Sequence, residues 1–106
     1  MHNPMYITSL EEAQAALKNG AAVLQNAPGS SAYLGYGYVH ALFQAVTAEA
    51  NGQAVEYIFD AGDNPAMAIE ALKQGYQTVV FTGEDALAAP LNALAVQQKA
   101  CLITEH

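Results

Sequence analysis

The chain of 106 residues carries ten Asp and Glu against three Lys and no Arg, and it is 53% hydrophobic with only 12% charged. This length fits one domain over 1–106. A net charge of −7 argues against nucleic acid and anionic membrane as partners, because neutralising phosphates takes several clustered cations and Lys18, Lys73 and Lys99 are isolated. The charged fraction is about half the ~25% of an average soluble protein, and no Asp, Glu, Lys or Arg occurs between Lys18 and Glu49. The helical part of that stretch, 32–48, falls short of the ~20 apolar residues that span a bilayer and contains His40 and Gln44. Cys101 alone cannot form an intramolecular disulfide, and MHNPMYITS has neither the basic region nor the apolar run of a signal peptide, so the expected location is cytoplasmic.

Ser9-Leu10-Glu11-Glu12 has the form of a capping box, in which the hydroxyl and the carboxylate each satisfy a free N–H at a helix start. The helix it opens is expected over about 10–19, closed by Gly20. Residues 21–25 form a short apolar strand that Pro28-Gly29-Ser30-Ser31 breaks. One helix is then expected from about 32 to Asn51-Gly52, with Val39, Leu42, Phe43, Val46 and Ala50 on its buried stripe. Val55–Phe59 is the second strand, and Asn64-Pro65 supplies an N-cap and a first helical position for the helix that Gly75 closes. Thr78–Phe81 is the third strand, and Thr82-Gly83-Glu84-Asp85 turns into a last helix that Pro90 should kink or restart. Cys101–Thr104 closes the chain as a strand in which Cys101 is expected to be buried.

The phrases AQAALKNG (13–20) and AIEALKQG (68–75) share five of eight positions, and each precedes a strand. Common capping and packing demands are enough to explain the echo without duplication. Helices alternating with strands, without hairpin signals, give a small three-layer α/β/α domain, Rossmann-like or flavodoxin-like in the general sense. Its sheet is mainly parallel and four-stranded, with a short fifth edge strand at residues 5–7. A full (β/α)₈ barrel needs roughly 200 residues or more; a half-barrel pairing with a second copy fits the length.

Ligands of open parallel sheets bind beyond the carboxyl ends of the strands, where the exit loops 26–38, 60–65 and 82–85 converge. Asn26, Ser30, Ser31, Asp60, Asp63 and Thr82 are the candidate ligand contacts. A strand-end aspartate can hold a metal, accept a hydroxyl or act as a base, although aspartates also serve exit turns through local N–H groups. Gly29, Gly35 and Gly37 match neither the dinucleotide nor the P-loop spacing. No zinc-type spacing joins His2, His40 and His106, so neither metal nor cofactor is implied.

At about 100° per residue, Tyr36, His40, Gln44 and Thr47 lie along one flank of the second helix, with Tyr33 in its tyrosine-rich entry. An uncharged, tyrosine-bearing flank suits a subunit interface, or the mouth of a pocket. Two readings follow from the sequence. One is a non-enzymatic assembly module acting as a homodimer through this flank. The other is a binder or enzyme for a small neutral or cationic ligand at the strand-end loops.

Overall fold

In the computed structural model, residues 4–28, 30–49 and 55–104 are described, apart from the side chains of Ser31 and Tyr33. The elements alternate in chain order as β1 (Met5–Ile7), α1 (Leu10–Lys18), β2 (Val23–Asn26), α2 (Ser31–Leu34), α3 (Tyr36–Glu49), β3 (Glu56–Asp60), α4 (Pro65–Lys73), β4 (Thr78–Val80), α5 (Asp85–Gln97) and β5 (Cys101–Ile103). All four strand pairings are parallel, so this is the expected α/β class, with Met5–Ile7 as the fifth strand.

Strand order is what the sequence left open, and it sets the layering. The order is β1-β2-β3-β4-β5, so each crossover moves one strand in the same direction. Right-handed crossovers in such a series place every helix on the same face. Core membership agrees: Ala13 and Ala16 of α1, Val39 to Val46 of α3, Ala68 to Leu72 of α4, and Leu91 and Ala95 of α5 join one cluster with Leu24, Phe59, Val79 and Phe81. The alternate strand residues Val23, Ile58 and Val80 form a separate small cluster that contains no helix residue. The second helical layer of a doubly wound domain is therefore not found among the described residues. The winding is that of part of a (β/α) barrel, with one sheet face under helices and one without them.

Local details follow the chemistry, with corrections. Asn64 caps α4 by accepting from Met67 N at 3.1 Å, with Pro65 at the first helical position. Ser9 Oγ likewise accepts from Glu12 N at 3.2 Å, but the Glu12 carboxylate reaches Thr8 N and Oγ1, both at 2.6 Å, one residue earlier than a capping box requires. The expected single helix over 32–51 is two, because Gly35 takes φ +84° between α2 and α3; a left-handed residue cannot continue a right-handed helix. The Asn51-Gly52 end assigned to it lies outside the described residues, as do Gly29, His2 and His106. Pro90 neither restarts nor ends α5, which runs through it on an exposed face. Cys101 is exposed, correcting its expected burial, because β5 is an edge strand whose Cys101 and Ile103 point away from the helices.

The sequence echo is structural. Ala13 and Ala16 in the first phrase, and Ala68 and Ala71 in the second, are all buried. Both helices end on a left-handed glycine, Gly20 at φ +87° and Gly75 at +100°, and the next residue donates back to Ala16 or Ala71. The end of α5 repeats the motif with Ala100 N donating to Ala95 O, and Lys99 at φ +57° standing where the other two have glycine.

Candidate functional site

At the carboxyl end of the sheet the β2–β3 register runs only to Gln25 opposite Ile58. Beyond that point the Asn26 side chain takes over the ladder. Its Oδ1 accepts from Asp60 N at 2.7 Å and its Nδ2 donates to Asp60 O at 2.9 Å and to Ser30 Oγ at 3.2 Å. Asn26 and Ser30 are fully buried. An amide can do this because it carries a donor and an acceptor side by side, like the backbone group it replaces.

The backbone held in this way presents the Asp60 carboxylate on the opposite, helix-free face. Gly62 N donates to Oδ1 at 2.8 Å and Gln25 Nε2 to Oδ2 at 3.2 Å. Asp60 is 4% exposed, and burial raises its carboxyl above the ordinary value, against the opposing pull of the Gly62 and Gln25 hydrogen bonds. Each carboxylate oxygen has two acceptor directions, so neither is saturated by one partner. Two tethers fix the loop after Asp60 beside the end of β4: Ala61 N donates to Val80 O at 2.8 Å, and Thr82 N to Gly62 O at 2.7 Å.

These loops enclose a cleft of about 550 Å³, lined by Pro28, Ala32, Asp60–Asn64, Met67 and Thr82. Of the six sequence candidates, Asp60, Asp63 and Thr82 meet in this cleft, while Asn26 and Ser30 lie beneath it as the support of Asp60. Ser31 starts α2, and its side chain lies outside those described. Gln25 was missed by the sequence reading, although a glutamine inside an apolar strand was a visible signal: buried amides are kept where they have partners. Pro28, Ala32 and Met67 add an apolar wall that no motif announces.

Acidic side chains gather at the cleft's end of the sheet. Helices run antiparallel to the strands, so their N-termini share the cleft's end of the sheet. That end carries Glu11 and Glu12 in the first turn of α1 and Glu84 and Asp85 at the start of α5. All three lysines stand at the opposite end, Lys18 and Lys73 in the last turns of α1 and α4 and Lys99 just after α5. Among the described residues no three His, Cys, Asp or Glu side chains are grouped to hold a metal ion, and no helix is long and apolar enough to cross a membrane.

The interface candidates are placed elsewhere. Tyr36 turns inward, stacked on His40 at a centroid distance of 5.4 Å and 11° between planes and 5.1 Å from Phe59. Its hydroxyl is buried without a hydrogen-bond partner. His40 Nδ1 lies 2.8 Å from the Tyr76 hydroxyl, and Thr47 Oγ1 donates to Phe43 O at 2.9 Å and meets the Tyr57 hydroxyl at 3.0 Å. His40, Gln44 and Thr47 share a second recess, of about 350 Å³, between α3 and the segment from α4 to β4. Tyr33 falls in α2, and its side chain lies outside those described. Compared with protein-family models, curated proteins and solved structures, the chain matches none.

Proposed function

We propose that this protein is a small-molecule-binding module whose site is the cleft around Asp60 and whose ligand is a small cationic or neutral hydroxylated compound. The observation that carries this reading is a buried carboxylate with acceptor capacity to spare, opening onto a cleft of about 550 Å³ whose lining contains no lysine or histidine. The volume lies within the range of small-ligand sites, about 300–1,000 Å³, and the Pro28, Ala32 and Met67 wall suits a ligand with an apolar side. A bare phosphate or carboxylate would meet Asp60 and Asp63 without a counter-charge.

A thermal-shift panel of short amines, polyols, nucleotides and divalent metals tests this on the intact protein and on Asp60→Asn. Stabilisation of the intact protein by amines or polyols, lost in Asp60→Asn, is the expected result. No shift with any compound, or equal shifts in both proteins, would overturn it.

A second reading, a homodimer, is favoured by the sheet face that carries no helix among the described residues. Val23, Ile58 and Val80 are each 8% exposed there, beside Ile103 at 36% and Tyr6 at 53%. Since Tyr36 and His40 are engaged inside the chain, this face supports self-association better than the α3 flank. A monomer by light scattering at micromolar concentration would count against it.

A further inference from the structure

We infer that the recess between α3 and the Gln74–Gln77 segment is a second binding site, for a planar uncharged ring that carries a hydrogen-bonding group. The site is independent of the Asp60 cleft. Its walls come from the body of α3, the residues that precede and open β3, and the Gln74–Gln77 segment that leads into β4. Phe43, 2% exposed, reaches two wall rings at once, with centroids 5.0 Å from Tyr57 and 5.9 Å from Tyr76. Aromatic rings recognise one another through offset and edge-to-face contacts as well as by area, so a recess walled by Phe43, Tyr57 and Tyr76 favours a ring over an aliphatic body of the same size.

The walls are already set. The Tyr57 hydroxyl is held at Thr47 and the Tyr76 hydroxyl at His40, whose own ring is stacked on Tyr36. A ligand therefore meets side chains that need little ordering, which lowers the entropic cost of binding. At the rim stand Gln44 and Gln77, exposed amides that offer both donors and acceptors. Glu56 is the only Asp, Glu, Lys or Arg in the lining. No lysine or arginine is present to attract an anion, and a single rim carboxylate beside neutral amides gives a cation little purchase, so a neutral ligand fits best. A volume of about 350 Å³ takes a single substituted ring and excludes a large cofactor.

Benzamide and nicotinamide are the probes, and cyclohexanecarboxamide is the control, matched in polar group and size but without the ring. Each is titrated into the full chain and followed by amide and aromatic NMR resonances. The expected result is saturable shifts at Phe43, Gln44, Tyr57 and Tyr76 with Kd on the order of 1 mM, and binding of the control weaker by about 3- to 10-fold. Gln44→Trp, a change at an exposed position, should fill the recess and abolish the shifts while leaving far-ultraviolet circular dichroism unchanged. Asp60→Asn should leave them intact, which separates this site from the cleft. Shifts that do not saturate, equal binding of ring and control, or ligand-free shifts at these residues that depend on protein concentration would each overturn the inference; the last would mean that a second copy occupies the recess.

Discussion

Replacing Asn26 by alanine is the sharpest test of how the Asp60 site is built. The substitution removes the acceptor of Asp60 N and the donor to Asp60 O, bonds of 2.7 and 2.9 Å in a fully buried setting. Each buried group left unpaired costs about 1–3 kcal/mol, so two stranded groups together cost roughly 3 kcal/mol, out of a total stability of about 5–15 kcal/mol for a domain. With an unfolding entropy of about 2 cal/mol/K per residue, the midpoint should fall by roughly 10–15 °C. Urea denaturation followed by circular dichroism measures the loss directly, with the slope unchanged if only the native state is affected. Asn26→Asp refines the test, because it keeps an acceptor for Asp60 N but sets an oxygen against the Asp60 carbonyl. It should be at least as unstable as the alanine variant at pH 7 and regain stability only as acid protonates the new carboxyl. A loss below about 1 kcal/mol in Asn26→Ala, a typical net value for one hydrogen bond, would refute the bridge as the support of the site.

Three further predictions concern charge and backbone. Burial raises the Asp60 carboxyl above 3.8, so the native state binds this proton more tightly than the unfolded chain. The stability this contributes is fully present below about pH 3.8 and is lost as pH rises through the raised native value. Asp60→Asn should therefore gain on the parent as pH increases across that window, read as the difference in urea midpoints; a difference independent of pH would refute the assignment. Lys99 sits at φ +57° where α1 and α4 end on glycine. Lys99→Gly should then stabilise the fold by about 0.5–1 kcal/mol, the left-handed penalty less glycine's extra chain entropy. Gly75→Ala should cost about 1 kcal/mol for backbone reasons alone, since a Cβ there meets nothing within 4 Å. A Lys99→Gly protein no more stable than the parent in thermal melts would refute this.

What could be read from the sequence was local. Ser9, Asn64 and Pro65 act at helix starts, and Gly20 and Gly75 at helix ends, through bonds to residues at most five positions away, so the chain order alone carries them. The aspartate at the end of β3 was legible for the same reason. Strand order depends on contacts between distant residues, and short apolar strands such as Val23–Asn26 and Thr78–Val80 read alike whichever neighbours they take. The exposure of Cys101 followed from that order, because only its edge position leaves one side of β5 uncovered. Asn26 was legible as a polar strand end, yet its partner is 34 residues away, and nothing near it announces that its amide would continue a ladder.

The shortage of charge between Lys18 and Glu49 can be traced to particular demands of the interior. Gln25 donates to Asp60, Asn26 brackets the Asp60 backbone, Ser30 receives the second Asn26 proton, and His40 meets Tyr76. The Gln25, Asn26 and Ser30 contacts call for neutral groups. A lysine in place of Asn26 would bury a cation with no carboxylate free to pair with it, and a glutamate in place of Gln25 would set two carboxylates against each other at a buried site. Neutral donors also leave Asp60 without a cationic partner while keeping it hydrogen-bonded, the arrangement of a carboxylate whose counter-charge is supplied from outside. With every lysine held at the far end of the helices, none lies near Asp60 among the described residues, a lack that agrees with the proposed binding of a cationic or neutral ligand, so the charge-poor segment supports that proposal as well as it does self-association.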